Sequence, residues 1–207
     1  ASQGRNQGEG REPSETGCAR FRELPLDYRI GSVHLLYNAK GEVVDVDVTA
    51  DKFRKLVDDE FGGDLVRVVH LYYERLMRMV ELGGFDIVGH ADKMHYNAAA
   101  YRPGLLDEPW YDALIQEYFD AIARKGYIVE VNTKSYLELG TFYPNERYFP
   151  VLLEKGIRVQ VNSDSHYPER INNGRLQALA ALQASGYHTV TEMYNNEWKD
   201  MPLIIHT

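Results

Sequence analysis

Two hydrophobic periods alternate along most of this chain. Short apolar runs rich in Val and Ile, at residues 29–33, 85–89, 127–131, 157–161 and 187–193, have the pattern of buried strands. Between them lie longer stretches whose apolar positions recur every three to four residues. These predict helices over residues 51–61, 64–82, 107–125, 146–155 and 173–185. The punctuation agrees. Gly62-Gly63, Gly83-Gly84, Gly126 and Gly156 stand where helices end, Asp64 and Asp107 where caps belong, and Pro109 in a first turn. On the 64–82 helix, Leu65, Val69, Tyr72, Leu76 and Met79 form the inner face. That leaves His70 outside, beside Arg67, Glu74 and Arg78, as a solvated histidine. One segment departs from this order. EVVDVDV (residues 42–48) alternates strictly and predicts a half-exposed strand, in a hairpin after the turn Asn38-Ala39-Lys40-Gly41. Asp45 and Asp47 share a face there and read as a solvated strand edge rather than a cation site.

Strands alternating with helices imply an α/β fold with a parallel sheet and right-handed crossovers. Sites in such folds sit at the C-terminal ends of the strands. Four of the predicted strands run into polar residues at that end: His34, His90 (followed by Asp92 and Lys93), Asn132, and Asp164 with His166. The last pair closes the stretch GIRVQVNSDSH (residues 156–166). Taken alone, Asp-x-His after a strand also describes a capped turn. Several strands ending in His and Asp on one rim point instead to a divalent metal, because imidazole nitrogen with carboxylate oxygen is the donor mixture such ions take. Ser163 and Ser165 flank Asp164, but neighbours on one strand end are poorly placed to act as nucleophile and base together.

The 207 residues allow one domain with a real core, and no apolar run approaches the roughly 18 residues of a membrane span. A net charge of -8 argues against nucleic acid or an anionic membrane as the main partner. It does not exclude an anionic small molecule, since a bound metal inverts the local field. The single cysteine, Cys18, makes no internal disulfide, which fits a reducing cytoplasm. Residues 1–20 have no periodicity and no signal-peptide core, so they read as an irregular leader to a domain over residues 21–207.

Set in order, the segments GSVH (residues 31–34), FDIVGHADK (85–93), EVNTKSY (130–136) and NSDSH (162–166) resemble the histidinol-phosphatase branch of the PHP superfamily. YRPGLLDEPWYDALIQEYF and the closing NNEWKDMPL are similar to that branch as well. The resemblance implies a distorted (β/α)7 barrel, TIM-like, with two or three divalent metals (Zn, Mn or Fe) on its C-terminal rim. It assigns His34, His90, Asp164 and His166 to metal ligation and makes Lys93 and Arg102 candidates for holding a substrate phosphate. Asp92 takes a supporting or proton-transfer role, His95 faces either the substrate pocket or a surface loop, and Asn132 holds a ligand or caps the next element. The implied activity is hydrolysis of L-histidinol phosphate, a small phosphorylated metabolite, by metal-activated hydroxide. Members of that branch begin with an H-x-H motif on a first strand, and this chain has none. The expectation is therefore a barrel incomplete at its N-terminus, with an open sheet edge available for a homo-oligomer and weak activity unless a partner chain supplies the rest. Two other readings stay open: a PHP-type phosphoesterase acting on a different ester, and a metal-binding form with impaired catalysis.

Overall fold

The computed structural model describes residues 23–203. The leader of residues 1–20, with Cys18, lies outside them. Four parallel strands form the central sheet: β1 (Ile30–Gly31), β4 (Ile87–Val88), β5 (Ile128–Asn132) and β6 (Val159–Asn162), side by side in that order. Antiparallel hairpins flank it, β2 (Leu35–Tyr37) with β3 (Val43–Asp45), and β7 (Thr189–Tyr194) with β8 (Glu197–Pro202). The helices are α1 (Ala50–Phe61), α2 (Leu65–Leu82), α3 (His95–Tyr101), α4 (Pro109–Lys125), α5 (Tyr136–Leu139), α6 (Phe149–Glu154) and α7 (Arg175–Ala184). None of them is long and apolar enough to cross a membrane.

Local chemistry explains most of these bounds. The Asp64 carboxylate accepts the Arg67 N–H at 3.0 Å and caps α2. Gly62 and Gly126 end α1 and α4 in the left-handed conformation that glycine adopts without a side-chain clash. The cap of α4 differs from the expectation. Asp107 lies in a 3-10 turn (Leu105–Asp107) and reaches Arg147 at 2.8 Å, while Glu108 occupies the capping position before Pro109. Several elements were absent from the sequence reading, α3 and β8 among them. The α3 segment HYNAAAY is short and lacks an amphipathic stripe, and the β8 segment EWKDMP is charged and ends in proline.

Helices α2 and α4 pack against each other, in one core with Val88, Val129 and Val131 of the sheet. Tyr73 sets its edge against Tyr111 and Tyr118, with ring centroids 6.0 and 5.9 Å apart. Phe53, Tyr72, Phe119, Phe142 and Phe149 fill the core around them. The sheet is open. Among the described residues β1 bonds only to β4, and β6 only to β5, so no closed barrel is formed. On the side of β1 away from β4 runs a groove of about 570 Å³, lined mainly by Leu26, Tyr28, Ile30, Met79, Leu82 and Phe85.

The sheet's tight spacing sets a testable constraint. A Cβ at Gly31 would lie 2.8 Å from the Phe85 ring, so it would displace that ring from its stack on Tyr127 at 4.4 Å. Gly31→Ala is expected to lower unfolding stability by about 1–3 kcal/mol, the usual cost of overpacking. Urea denaturation monitored by circular dichroism measures it, and an unchanged midpoint would disprove the constraint.

Candidate metal and phosphate site

The parallel strands bring their C-terminal ends to one rim, and the predicted residues follow them there. His34 lies just past β1, His90 just past β4, Asn132 ends β5, and Asp164 with His166 follows β6. His90 and Asp164 are non-glycine residues in the left-handed region, at φ 31° and 46°. Such strain persists only where surrounding contacts hold it, and functional sites are where it collects.

The rim residues form two clusters. In the first, the His34 and His90 rings meet edge to face with centroids 4.8 Å apart. His34 donates from Nδ1 to the Asp47 carboxylate at 3.1 Å, and Lys93 approaches the other Asp47 oxygen at 3.3 Å. The bond from Nδ1 leaves His34 Nε2 as a lone pair, the arrangement by which carboxylates orient metal-binding imidazoles. The hydrogen bond to Asp47 raises the His34 pKa against the opposing effect of burial. Burial pulls the Asp47 pKa upward, but the bond from His34 and the charge of Lys93 prevail and hold it below the usual carboxylate range. His90 is different. Burial, aided by His34 and Lys93, pushes its pKa down to about 4, so it is neutral near pH 7. Its Nδ1 is buried without a hydrogen-bond partner.

In the second cluster, Asp164 accepts from Asn132 Nδ2 at 3.3 Å and lies 3.2 Å from Lys134 Nζ. Lys134 Nζ is also 3.3 Å from His166 Nε2, and that nitrogen is 3.6 Å from Asp164. Glu130 joins the two clusters from below. Its Oε2 accepts the His90 backbone N–H at 2.8 Å and Asn132 Nδ2 at 3.1 Å, and its Oε1 accepts Asn162 Nδ2 at 3.1 Å. Burial raises the Glu130 pKa, while these three bonds favour the carboxylate.

The other candidates have these surroundings. Asp92 is fully buried. It accepts the Asn145 N–H at 3.0 Å and stands 3.2 Å from His95 Nδ1. His95 is no surface-loop residue: it is buried at the start of α3, with Nε2 within 3.1 Å of Thr141 Oγ1 and 3.2 Å of Asn145 Nδ2. Arg102 pairs with Glu108 at 2.9 Å and lies over Trp110, so its contacts are away from the rim. Lys93 lies over the Tyr143 ring at 4.4 Å and is mostly buried. His70 is exposed and stacks on Trp110.

Three site residues escaped the sequence reading. Asp47 is no solvated edge, because β3 stops at Asp45 and the chain then turns back over the end of β1, where Val46 N–H bonds to His34 C=O. Glu130 sat inside an apolar run, and a charge buried among valines was the signal to follow. Lys134 stands two residues past the end of β5, and nothing local marks it.

The donors suit a borderline divalent cation in kind: neutral imidazole, carboxylate, and one buried nitrogen without a partner. They come in pairs. Among the described residues no three His, Cys, Asp or Glu side chains gather as one ligand group.

No protein-family model matches the chain. A Schizosaccharomyces pombe protein named "Probable histidinol-phosphatase" is 23% identical over 167 residues, covering 78% of this chain and 51% of its own length. A Listeria monocytogenes crystal structure named "putative histidinol phosphatase hisK" superposes with a TM-score of 0.68 at 18% identity, over 79% of this chain and 61% of the other. In sequence the chain is similar to a protein named as a probable histidinol-phosphatase, and in fold to structures named as histidinol phosphatases. A histidinol phosphate phosphatase from Lactococcus lactis, solved with zinc, L-histidinol and phosphate, superposes with a TM-score of 0.55 at 16% identity, over 89% of this chain and 66% of the other. The chain thus spans about half the length of the curated histidinol-phosphatase it matches.

The His34–Asp47 pair predicts a titration. Because its folded pKa is raised, His34 adds stability at pH values below the ordinary histidine range, and the gain is lost as pH rises through the raised value. The contribution to stability is small, since the ring is half exposed. Proton NMR of metal-free protein should show His34 titrating above about 6.5. Asp47→Asn should bring that pKa down, and an unshifted value in the variant would refute the pairing.

Proposed function

We propose that this chain is a metal-dependent phosphomonoesterase of the histidinol-phosphatase type, hydrolysing L-histidinol phosphate to L-histidinol and phosphate. The observation that carries the reading is the His34–His90 pair at the strand ends, with its neutral, buried and unpartnered His90 nitrogen. Likeness in fold to a structure holding zinc, L-histidinol and phosphate supports it. On the same reading the open sheet is an arc of a distorted (β/α)7 barrel, in keeping with its parallel strand order.

His34 and His90, with Asp164 and His166, would hold the divalent ions (zinc, manganese or iron). Such ions supply activation of water and neutralisation of charge on a phosphoryl group. The remaining work falls to the chain. Asp47 fixes the His34 tautomer, so that Nε2 faces outward as a lone pair. Glu130 holds the His90 backbone in its strained conformation. Asn132 positions the Asp164 carboxylate. Lys93 and Lys134 place two ammonium groups on the rim, where an anionic ester would be held by charge. Asp92 locks His95 beneath this surface as a positioning pair rather than a proton donor to substrate.

A second reading has a specific observation in its favour. The donors stand in pairs rather than in one group, as in a metal-binding form with impaired catalysis. One experiment separates the two: phosphate release from L-histidinol phosphate and a panel of other phosphate esters, with zinc or manganese added. The proposal expects metal-dependent release with preference for the histidinol ester. His90→Ala should lower that release by at least about 100-fold, beyond the roughly 10–100-fold loss typical when a residue that merely orients a metal ligand is removed. Tight metal binding without release from any ester would establish the impaired form instead.

A further inference from the structure

Lys134 occupies an unusual place. Its ammonium lies 3.2 Å from Asp164 Oδ2 and 3.3 Å from His166 Nε2. It therefore stands between the two side chains that the proposed function gives to a cation. A lysine ammonium only donates, so His166 Nε2 must accept from it with its lone pair. That is the same lone pair a metal ion would use. Asp164 likewise offers the ammonium an oxygen that would otherwise face the ion. Chemically, Lys134 satisfies both side chains as a monovalent cation would.

The backbone around it is fixed while the side chain is free to move. The Lys134 N–H donates to Asn132 Oδ1 at 3.0 Å, and its C=O accepts from Asn173 Nδ2 at 3.0 Å. The side chain beyond is about one-third exposed, and so is Asp164, while His166 is two-thirds exposed. An ion pair this open to water is weak, so a divalent ion displaces it at little cost. Lys93 does not share this property. It is mostly buried and lies against Asp47 and the Tyr143 ring.

We propose that Lys134 is a built-in placeholder cation: in the metal-free chain its ammonium occupies the Asp164–His166 pair, and metal binding releases it into the mouth of the site. The inference rests on the proposed function, since it concerns the same rim. It adds a regulatory device. Without metal the ammonium lies against the carboxylate and the imidazole nitrogen, and loading the metal frees it for an anionic substrate. Metal affinity at this pair is thereby set lower than the ligands alone would give.

The test reads the lysine itself. Wild-type protein is acetylated briefly with acetic anhydride, with and without zinc, and modification of each lysine is quantified by mass spectrometry. Lys134 should react several-fold faster with zinc bound, while the exposed Lys52 stays unchanged. In parallel, zinc titration by calorimetry should show Lys134→Met binding zinc several-fold more tightly than wild type, with the added affinity lost in the Lys134→Met/Asp164→Asn double variant. Lys134→Gln serves as a second replacement, and thermal melts confirm that the variants are folded. If zinc binds and Lys134 reactivity does not rise, or the variants bind no tighter, the placeholder is overturned and the proposed function stands. If no protein form binds zinc, the metal reading itself falls and takes the placeholder with it.

Discussion

The rim hangs on one buried carboxylate. Glu130 projects from the middle of β5, where its neighbours in sequence are valines, and its two oxygens accept from three strand ends at once. A carboxylate in that position is costly to bury unless its lone pairs are filled. Here they are filled by the His90 backbone, Asn132 and Asn162, each placed by a different strand terminus. The register of three parallel strands and the ionisation of one acid are therefore the same constraint. A slip of one residue in β6 would turn Asn162 to the opposite face and leave Glu130 Oε1 without that donor.

Strain and order are coupled through that anchor. His90 and Asp164 adopt backbone angles that L-residues avoid, and both are held by hydrogen bonds to this network, directly or through Asn132. Burial, with His34 and Lys93 beside it, keeps the His90 imidazole neutral. Across from it, the more exposed His34 is held by Asp47 and takes a proton more readily. Two histidines less than 5 Å apart between ring centroids thus have pKa values shifted in opposite directions, because one is buried and the other is paired with an acid.

Charge follows a similar logic. The chain is acidic overall, yet the rim carboxylates Asp47 and Asp164 each have a lysine within about 3.3 Å and a histidine on the other side. These two His–Asp–Lys groups balance the site internally. On the proposed function, an anionic ester would meet a rim with two ammonium groups on a chain of net charge -8.

Much of this was legible in the sequence, because strand and helix periods, caps and glycine stops are local. The same local logic led His34, His90, Asn132, Asp164 and His166 to the strand ends, since a parallel sheet puts all its C-termini on one side. What the sequence could not show was which distant groups meet there. Asp47 reads as an exposed edge until the hairpin folds over β1, and Lys134 reads as loop until β5 and β6 lie side by side. Arg102 and His95 look available for substrate until Glu108 and Asp92 are seen to hold them. Period and capping depend on residues a few positions apart, and the sequence by itself determined those. Ion pairs and buried hydrogen bonds depend on groups separated by tens of residues, and only the tertiary structure decided which of them close.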